Sequence, residues 1–308
     1  MIYRGFLLHL QQSNLSIIIN KLNIKIMKQE IINLYDEYTH KPLSRGDFLK
    51  KLSLLTGGMT AALTILPSLE SNYAIAQVSD NELFTETISY AGINGEMKAY
   101  VARLKEMKAY PTVIIIHENR GLTPHIEDVA RRAAQAGFLA IAPNALSVMS
   151  PVPANEDEAR TAFSKLKAED NLANFMKVFD YIPTRKDSNG KIGCVGFCWG
   201  GAMANSLAVE VPSLKAAVAF YGRQPAVADV PKIKSAVQLH YASLDERVNA
   251  GAKDYEDALK SNSKNYELYM YEGVNHAFHN DTSAARYNEV AAKLAWQRTL
   301  DFFKKYLV

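Results

Sequence analysis

Cysteine is almost missing from this chain: 308 residues contain two, Cys194 and Cys198. So low a count excludes a disulfide framework. The two do not suit each other as partners either, since four residues of extended chain span roughly 13 Å and a disulfide needs Cα atoms about 4.4–6.8 Å apart. Cys198 is therefore expected to remain a thiol even in an oxidising compartment, and Cys194 reads as strand core. An excess of one charge is missing too. Lys and Arg number 35 against 32 Asp and Glu, a formal net charge of +3, and the basic residues form no stripe. Nucleic acid is thus not an expected partner. The chain shows no internal repeat, low-complexity tract or linker. No H-x-x-x-H pair with nearby acids and no phosphate-binding loop occurs, so neither a metal nor a cofactor is expected. What is present is ordinary globular composition, 48% hydrophobic and 22% charged.

Against that plain background Gly196-Phe197-Cys198-Trp199-Gly200-Gly201 stands out. It follows the apolar run Ile192 to Val195 and precedes the small residues Ala202, Met203 and Ala204, a pattern of strand, sharp turn and helix. This is the form of a nucleophile elbow, with cysteine where serine is more usual. Glycines are required on both sides because the central residue adopts strained backbone angles and neighbouring side chains would clash. Such a turn lifts Cys198 above the sheet and aims the first N–H groups of the helix at a reacting carbonyl. The alternative is a small buried cysteine in a glycine-rich turn.

The rest of the chain alternates strands and helices. Phe84 to Tyr90 and Met97 to Leu104 read as an antiparallel hairpin turning near Gly92 and Asn94-Gly95. Thr112 to Ile116 is a β-branched run of the kind buried on both faces. A helix is expected after it, with Thr123 as N-cap, Pro124 first, and Gly137 as its stop. Phe138 to Ala142 is the next strand, and a polar helical region runs from Asn155 to Phe179. Strands follow at Ala216 to Tyr221, Ala236 to Tyr241 and Tyr266 to Tyr271, with a helix around Asp254 to Leu259. A closing helix carries Tyr287, Val290, Ala291 and Leu294 at spacings of three and four. The pattern implies a mostly parallel central sheet flanked by helices, an α/β fold, with its site at the C-terminal strand ends.

The N-terminal part reads differently. Residues 1–26 are rich in isoleucine and asparagine, and translation is expected to begin at Met27. Ser44-Arg45-Gly46-Asp47-Phe48-Leu49-Lys50, a weakly apolar stretch from Leu52 to Leu69, and Ala74-Ile75-Ala76 together resemble a twin-arginine signal peptide. Gly46 replaces the second arginine of that pattern. The stretch is broken by Gly57, Gly58 and Pro67 and is short for a membrane span. Residues 1–76 are thus expected to be an N-terminal extension and signal. Residues 77–308, roughly 230 residues, are expected to form one domain large enough for a substantial core. A periplasmic or otherwise exported protein is expected, with no stable membrane insertion after cleavage; with Gly46 in place of the second arginine, a cytoplasmic or membrane-tethered protein stays open as the alternative.

An elbow nucleophile needs a base, and the base an orienting acid. In an α/β-hydrolase fold these follow the nucleophile in the order acid, then histidine. Asp245 lies just past the strand ending at Tyr241, and His276 just past the strand ending at Tyr271, which places both on the edge expected for Cys198. Glu246 is a rival for the acid and His279 for the base, while His240 reads as a strand residue.

The elbow, the Tyr221-Gly222 pair, Asp245 and His276-Ala277-Phe278 together resemble the dienelactone hydrolases, α/β-hydrolases with a cysteine nucleophile. The resemblance runs from about Thr85 to the C-terminus. It implies attack by the Cys198 thiolate on a small ester or lactone, a thioester acyl-enzyme, and hydrolysis by water activated through His276. It also implies that Glu118 takes part in activating the thiol and that the N–H groups of Asn119 and Trp199 form the oxyanion hole. His117 either partners this loop from behind or simply ends its strand. Members that hold an anionic lactone do so with two arginines, at places that here read Ala145-Leu146-Ser147-Val148 and Phe278-His279-Asn280. Arg120 and Arg223, with Tyr221, are the substitute candidates for substrate binding. A broad carboxylesterase and a non-catalytic binding protein on the same scaffold stay open as alternatives, as does the oligomeric state.

Overall fold

The computed structural model describes residues 28–74, 79, 81–149, 153 and 155–308. They divide into two compact units, a smaller one up to Asn72 with Ser283–Ala285, and a larger one of Tyr73–Thr282 with Arg286–Val308. The readings made for residues 1–26 and for Ile75, Ala76 and Gln77 lie outside the described residues.

The smaller unit contains helices α1 (28–40), α2 (Arg45–Thr56) and α3 (Met59–Leu69). Ser44 caps α2, its Oγ accepting from the Asp47 N–H at 3.1 Å. The helix stops where Gly57 and Gly58 take φ of 80° and 150°, so the apolar stretch from Leu52 to Leu69 forms two helices bent by 110°. Phe48, Leu52, Ala62, Leu66 and Leu69 pack with Ile31, Leu34, Tyr35 and Tyr38. Among the described residues no single helix is long and apolar enough to cross a membrane.

The larger unit is built on eight strands: β1 (Leu83–Ala91), β2 (Glu96–Leu104), β3 (Tyr110–Ile116), β4 (Leu139–Asn144), β5 (Ser188–Phe197), β6 (Ala216–Phe220), β7 (Ala236–Ala242) and β8 (Tyr266–Tyr271). Their order across the sheet is β1-β2-β4-β3-β5-β6-β7-β8. β1 and β2 form the expected antiparallel hairpin, β2 runs antiparallel to β4, and the six strands from β4 to β8 are parallel. The continuous apolar runs of β3 and β5 are explained by cover on both faces. On one face β3 contributes Ile114 and Ile116, which join Cys194 and the helical residues Met203, Ala204 and Leu207. On the other, Val113 and Ile115 join Val195, Phe197 and the helical residues Ile126, Val129 and Ala133.

Those helices are α4 (Pro124–Gln135) and, after the three short helices α5 (Glu156–Phe163), α6 (Ala168–Met176) and α7 (Val178–Tyr181), α8 (Trp199–Glu210). Thr123 occupies the N-cap of α4 but makes no side-chain capping bond, and Gly137 ends the helix at φ 95°. The polar region from Asn155 to Phe179 is three helices because its apolar positions fall in short separate clusters, such as Ala159 with Phe163 and Phe175 with Val178. Helices α9 (Glu246–Asn249), α10 (Ala252–Ser261) and α11 (Glu289–Leu307) complete the unit. The face of α11 differs from expectation. Val290 is 79% and Leu294 44% exposed, Tyr287 precedes the helix, and the buried stripe is Ala291, Ala292, Ala295, Thr299, Phe302, Phe303 and Leu307. Small and aromatic residues fit that helix onto the sheet, whereas larger aliphatic ones mark its first turns in solvent.

Three of the buried histidines, His117, His240 and His279, are disfavoured as cations by their surroundings. Burial pushes His117 down to about 4 and His240 down to about 3, and holds His279 well below its ordinary value of 6.5. Because their folded values lie below the unfolded one, the unfolded chain binds more protons at mildly acid pH. The stability they contribute is complete above about pH 6.5 and is lost as pH falls through about 4 to 3. The thermal midpoint should therefore be flat above pH 7 and decline steadily from pH 6.5 to 4; a midpoint constant over that range would contradict the assignment.

Candidate active site

The sheet order places β5 beside β3, while the chain leaves β3 for β4 on its other side. This reversal opens a crevice at the carboxyl ends of β3 and β5, where α/β folds bind ligands. Ile116 pairs with Gly196, so Glu118 and Cys198 each lie two residues past a paired position at the same edge of the sheet. Ala242 pairs with Tyr271 at the ends of β7 and β8. The loops beyond are joined by Ser243 N–H to Tyr271 O (2.9 Å), Leu244 N–H to Val274 O (3.1 Å) and Gly273 N–H to Ser243 Oγ (2.8 Å). That zipper brings Asp245 and His276 together.

Cys198 has φ 57° and ψ −113°, a conformation that costs a non-glycine residue about 1–3 kcal/mol. It is tolerated because the surroundings admit no other path. Its N–H donates to Phe220 O at 3.0 Å, and its C=O starts α8 by accepting from Ala202 N–H at 3.2 Å. A Cβ on Gly196 would lie 1.8 Å from Gly200 O, one on Gly200 2.3 Å from Ile116 O, and one on Gly201 2.6 Å from Phe220 O. Backbone meets backbone at every one of these points. The thiol at this turn stands at the amino end of α8, where the helix dipole favours negative charge.

Asp245 caps α9 with one oxygen, which accepts from Val248 N–H at 3.2 Å, and holds His276 Nδ1 at 2.5 Å with the other. Both residues are buried. A ring nitrogen of His276 lies within 4.8 Å of Cys198 Sγ. Since Nδ1 faces Asp245, Nε2 lies on the opposite side of the ring. The rivals lie elsewhere: Glu246 is exposed, His240 sits between Tyr271 Oη and Gln238 inside the sheet, and His279 is stacked on Phe197 at 4.9 Å.

Glu118 is held by neutral donors, Tyr221 Oη to Oε1 at 3.4 Å and Asn280 Nδ2 to Oε2 at 3.0 Å. Asn280 is itself oriented by Thr282, whose Oγ1 and N–H both donate to its Oδ1 at 2.6 and 3.1 Å. Burial, then the neighbouring Glu118 and Cys198, raise Tyr221 well above its ordinary value, against the opposing Arg286. Tyr221 is therefore a phenol that donates, and its φ of 39° shows that the backbone is held out of its usual range to present it.

The remaining candidates are spread out. Trp199 begins α8, and Asn119 follows Glu118 beyond β3. Arg120 is engaged by Asn119 Oδ1 at 2.9 Å and by Glu156 at 3.9 Å, so it braces the Glu118 loop. Arg223 is exposed, and its carbonyl accepts from Asn205 Nδ2 at 2.9 Å. Residues that sequence reasoning passed over include Asn280, the buried Arg286, and Arg247, whose Nη2 lies 3.5 Å from His276 Nδ1. Arg247 and Arg286 carry no sequence signal beyond nearness in the chain to Asp245 and His276, and Asn280 stood out only as part of a stretch without the arginine that some family members have.

An eight-stranded, mostly parallel sheet, a strained strand-to-helix turn after β5 and a carboxylate–imidazole pair on the following strand ends define an α/β-hydrolase. Within that class the chain belongs to the Dienelactone hydrolase family, whose sequence profile matches residues 97–307. It is a hydrolase. A "Putative carboxymethylenebutenolidase" of Saccharolobus solfataricus is 30% identical over 256 residues, covering 71% of this chain and 97% of that protein. One of the same name from Salmonella typhi is 31% identical, over 68% of this chain and 83% of that protein. Among solved structures, a "Putative Dienelactone Hydrolase" of Klebsiella pneumoniae aligns with a TM-score of 0.67 and 29% identity, over 73% of this chain and all of that one.

The glycine contacts set a clear contrast in stability. Gly196→Ala drives a Cβ into backbone that has nowhere to go and should cost more than about 4 kcal/mol, read as loss of soluble protein or a collapsed denaturation midpoint. Gly137→Ala, at φ 95° with open space around it, should cost only about 1–2 kcal/mol. Equal effects would show that backbone angle, and not close approach, governs the turn.

Proposed function

We propose that this protein is a cysteine-dependent hydrolase of small esters or lactones that works through a thioester acyl-enzyme. The observation that carries the reading is Cys198 on a strained elbow with its sulfur within 4.8 Å of the imidazole that Asp245 holds. The thiol proton passes to His276 Nε2, and the sulfur adds to the substrate carbonyl. Negative charge develops on the carbonyl oxygen, and the N–H groups of Asn119 and Trp199 receive it. Collapse expels the alcohol, which leaves with the proton from His276, and a thioester remains. Water then attacks, giving its proton to His276; the thiolate departs and the acid is released. Asp245 keeps the imidazole in the tautomer that presents Nε2 throughout. Glu118 stands beside the thiol and supports its activation.

The substrate range favoured here is broad. The places where family members that bind an anionic lactone carry arginine read Ala145-Leu146-Ser147-Val148 and Phe278-His279-Asn280 here, without arginine. A general carboxylesterase is therefore the second reading. Export is part of the proposal as well, resting on the Ser44 to Lys50 and Ala74 to Ala76 pattern. Protein recovered from a periplasmic fraction should begin near Gln77, and recovery of uncleaved cytoplasmic chain alone would overturn that part.

The decisive measurement compares p-nitrophenyl acetate with an anionic dienelactone, using the full chain and its Cys198→Ala and Glu118→Gln variants. Cys198→Ala should be inactive on every ester the unmutated protein turns over, and Glu118→Gln should lose on the order of 10²-fold near neutral pH. Activity retained without Cys198 would refute the cysteine mechanism. Turnover of neither substrate by the unmutated protein would favour the binding-protein alternative.

A further inference from the structure

His117 is fully buried at the end of β3, one residue before Glu118. Its Nδ1 lies 2.5 Å from Glu118 O, and its Nε2 lies 3.0 Å from the Ala145 N–H. Only one tautomer satisfies both contacts: Nδ1–H donates to the carbonyl, and bare Nε2 accepts from the amide. A second proton would remove the acceptor, in keeping with burial that pushes the group down to about 4. The ring also stacks on Trp199, centroids 5.4 Å apart at an interplanar angle of 15°. Phe163 and Phe175 hold the same indole edge-on at 4.7 and 5.7 Å.

The carbonyl that His117 grips is half of a peptide unit whose other half is the Asn119 N–H. In a planar trans peptide the C=O and the N–H point in opposite directions, so fixing one fixes the other. We propose that His117 is a positioning residue for the oxyanion hole, orienting the Asn119 N–H through the Glu118 carbonyl and the start of α8 through the Trp199 ring. The proposal rests on the reading of Cys198 as nucleophile. One neutral imidazole thereby ties the two proposed oxyanion donors, which lie on separate elements, to a single rigid group. The contact with Ala145, beyond β4, keeps the ring from rotating.

The test exploits two reactions of the same sulfur. Hydrolysis of p-nitrophenyl acetate needs the thiolate and the oxyanion hole, whereas alkylation by iodoacetamide displaces iodide at a saturated carbon and needs the thiolate alone. His117→Phe keeps an aromatic ring against Trp199 and removes both nitrogens, and His117→Gln keeps a donor and an acceptor without the ring. In the full chain, His117→Phe should lower kcat on the order of 10²-fold, with KM and the Cys198 alkylation rate within about threefold of the unmutated protein. His117→Gln should recover part of kcat. A folded His117→Phe protein with unchanged kcat would overturn the proposal, and so would alkylation falling in parallel with kcat, since His117 would then act on the thiol. Failure of both variants to fold would assign the residue to stability alone and overturn it too. Failure of the underlying reading is separable, because it appears in Cys198→Ala irrespective of His117.

Discussion

The close approach of backbones around the turn between β5 and α8 governs the rest of the site. The strain at Cys198, about 1–3 kcal/mol, is small beside the burial on either side of it. Val195 and Phe197 on the strand and Met203, Ala204 and Leu207 on the helix are all buried, and each of the larger side chains contributes roughly 1.5–3 kcal/mol. Packing therefore forces the turn, and the glycines permit it. Because Gly200 abuts the carbonyls of Ile116 and His117, the same approach also fixes the exit of β3 against the start of α8. The placing of Glu118 and Cys198 at the same edge of the sheet is thus a consequence of sheet geometry before any side chain is considered.

What could be read from the sequence follows from this. The central strand β3 announced itself as a continuous apolar run because both its faces are covered, while the half-buried edge strand β8 coincides with the expected Tyr266 to Tyr271. The elbow was legible because its demand for glycine is local. Asp245 and His276 were legible because each lies a few residues past a strand end, and adjacent parallel strands bring such positions to one edge. The α11 stripe was misjudged because period alone does not say which of two apolar rows faces the sheet, and Ala295 with Thr299 is a less conspicuous row than Val290 with Leu294. The grip of Asn280 on Glu118 joins residues 162 positions apart, and a neutral amide carries no sequence signature. The double contact of His117 was invisible for a related reason, since its partners are backbone groups.

The charges near the site are arranged by distance as much as by number. Glu118 takes hydrogen bonds from a phenol and an amide, both neutral donors. Burial raises Tyr221 most, Glu118 and Cys198 add to that, and Arg286 opposes them. Asp245 spends one oxygen on the α9 cap and the other on His276, so its orientation is set by a helix terminus before the imidazole meets it. Both carboxylates are held by groups that fix their direction.

The segment from His276 to Thr282 shows how one loop can serve the site and the scaffold at once. His276 faces Asp245, Asn280 reaches Glu118, and the next residue, Asp281, turns away to pair with His125 Nδ1 at 3.0 Å and with Arg132, both on α4. Asp128 engages the same Arg132 at 2.5 Å and Arg131 at 3.2 Å, so Asp281 joins an ionic cluster already fixed on the helix. His125 and Arg132 beside Asp281 hold its carboxyl well below the usual carboxylate range, against a burial penalty that acts the other way. Ion pairs of this kind add little net stability, because desolvation consumes most of the attraction, but losing one partner costs about 3–5 kcal/mol. A sliding loop would strand Asp281 without its cations, whereas a sliding apolar contact would find another. The consequence is one register for the segment: Asp281 anchored on α4 fixes where Asn280 meets Glu118, and Ala277, held at φ 62°, takes up the turn that leaves His276 facing the thiol.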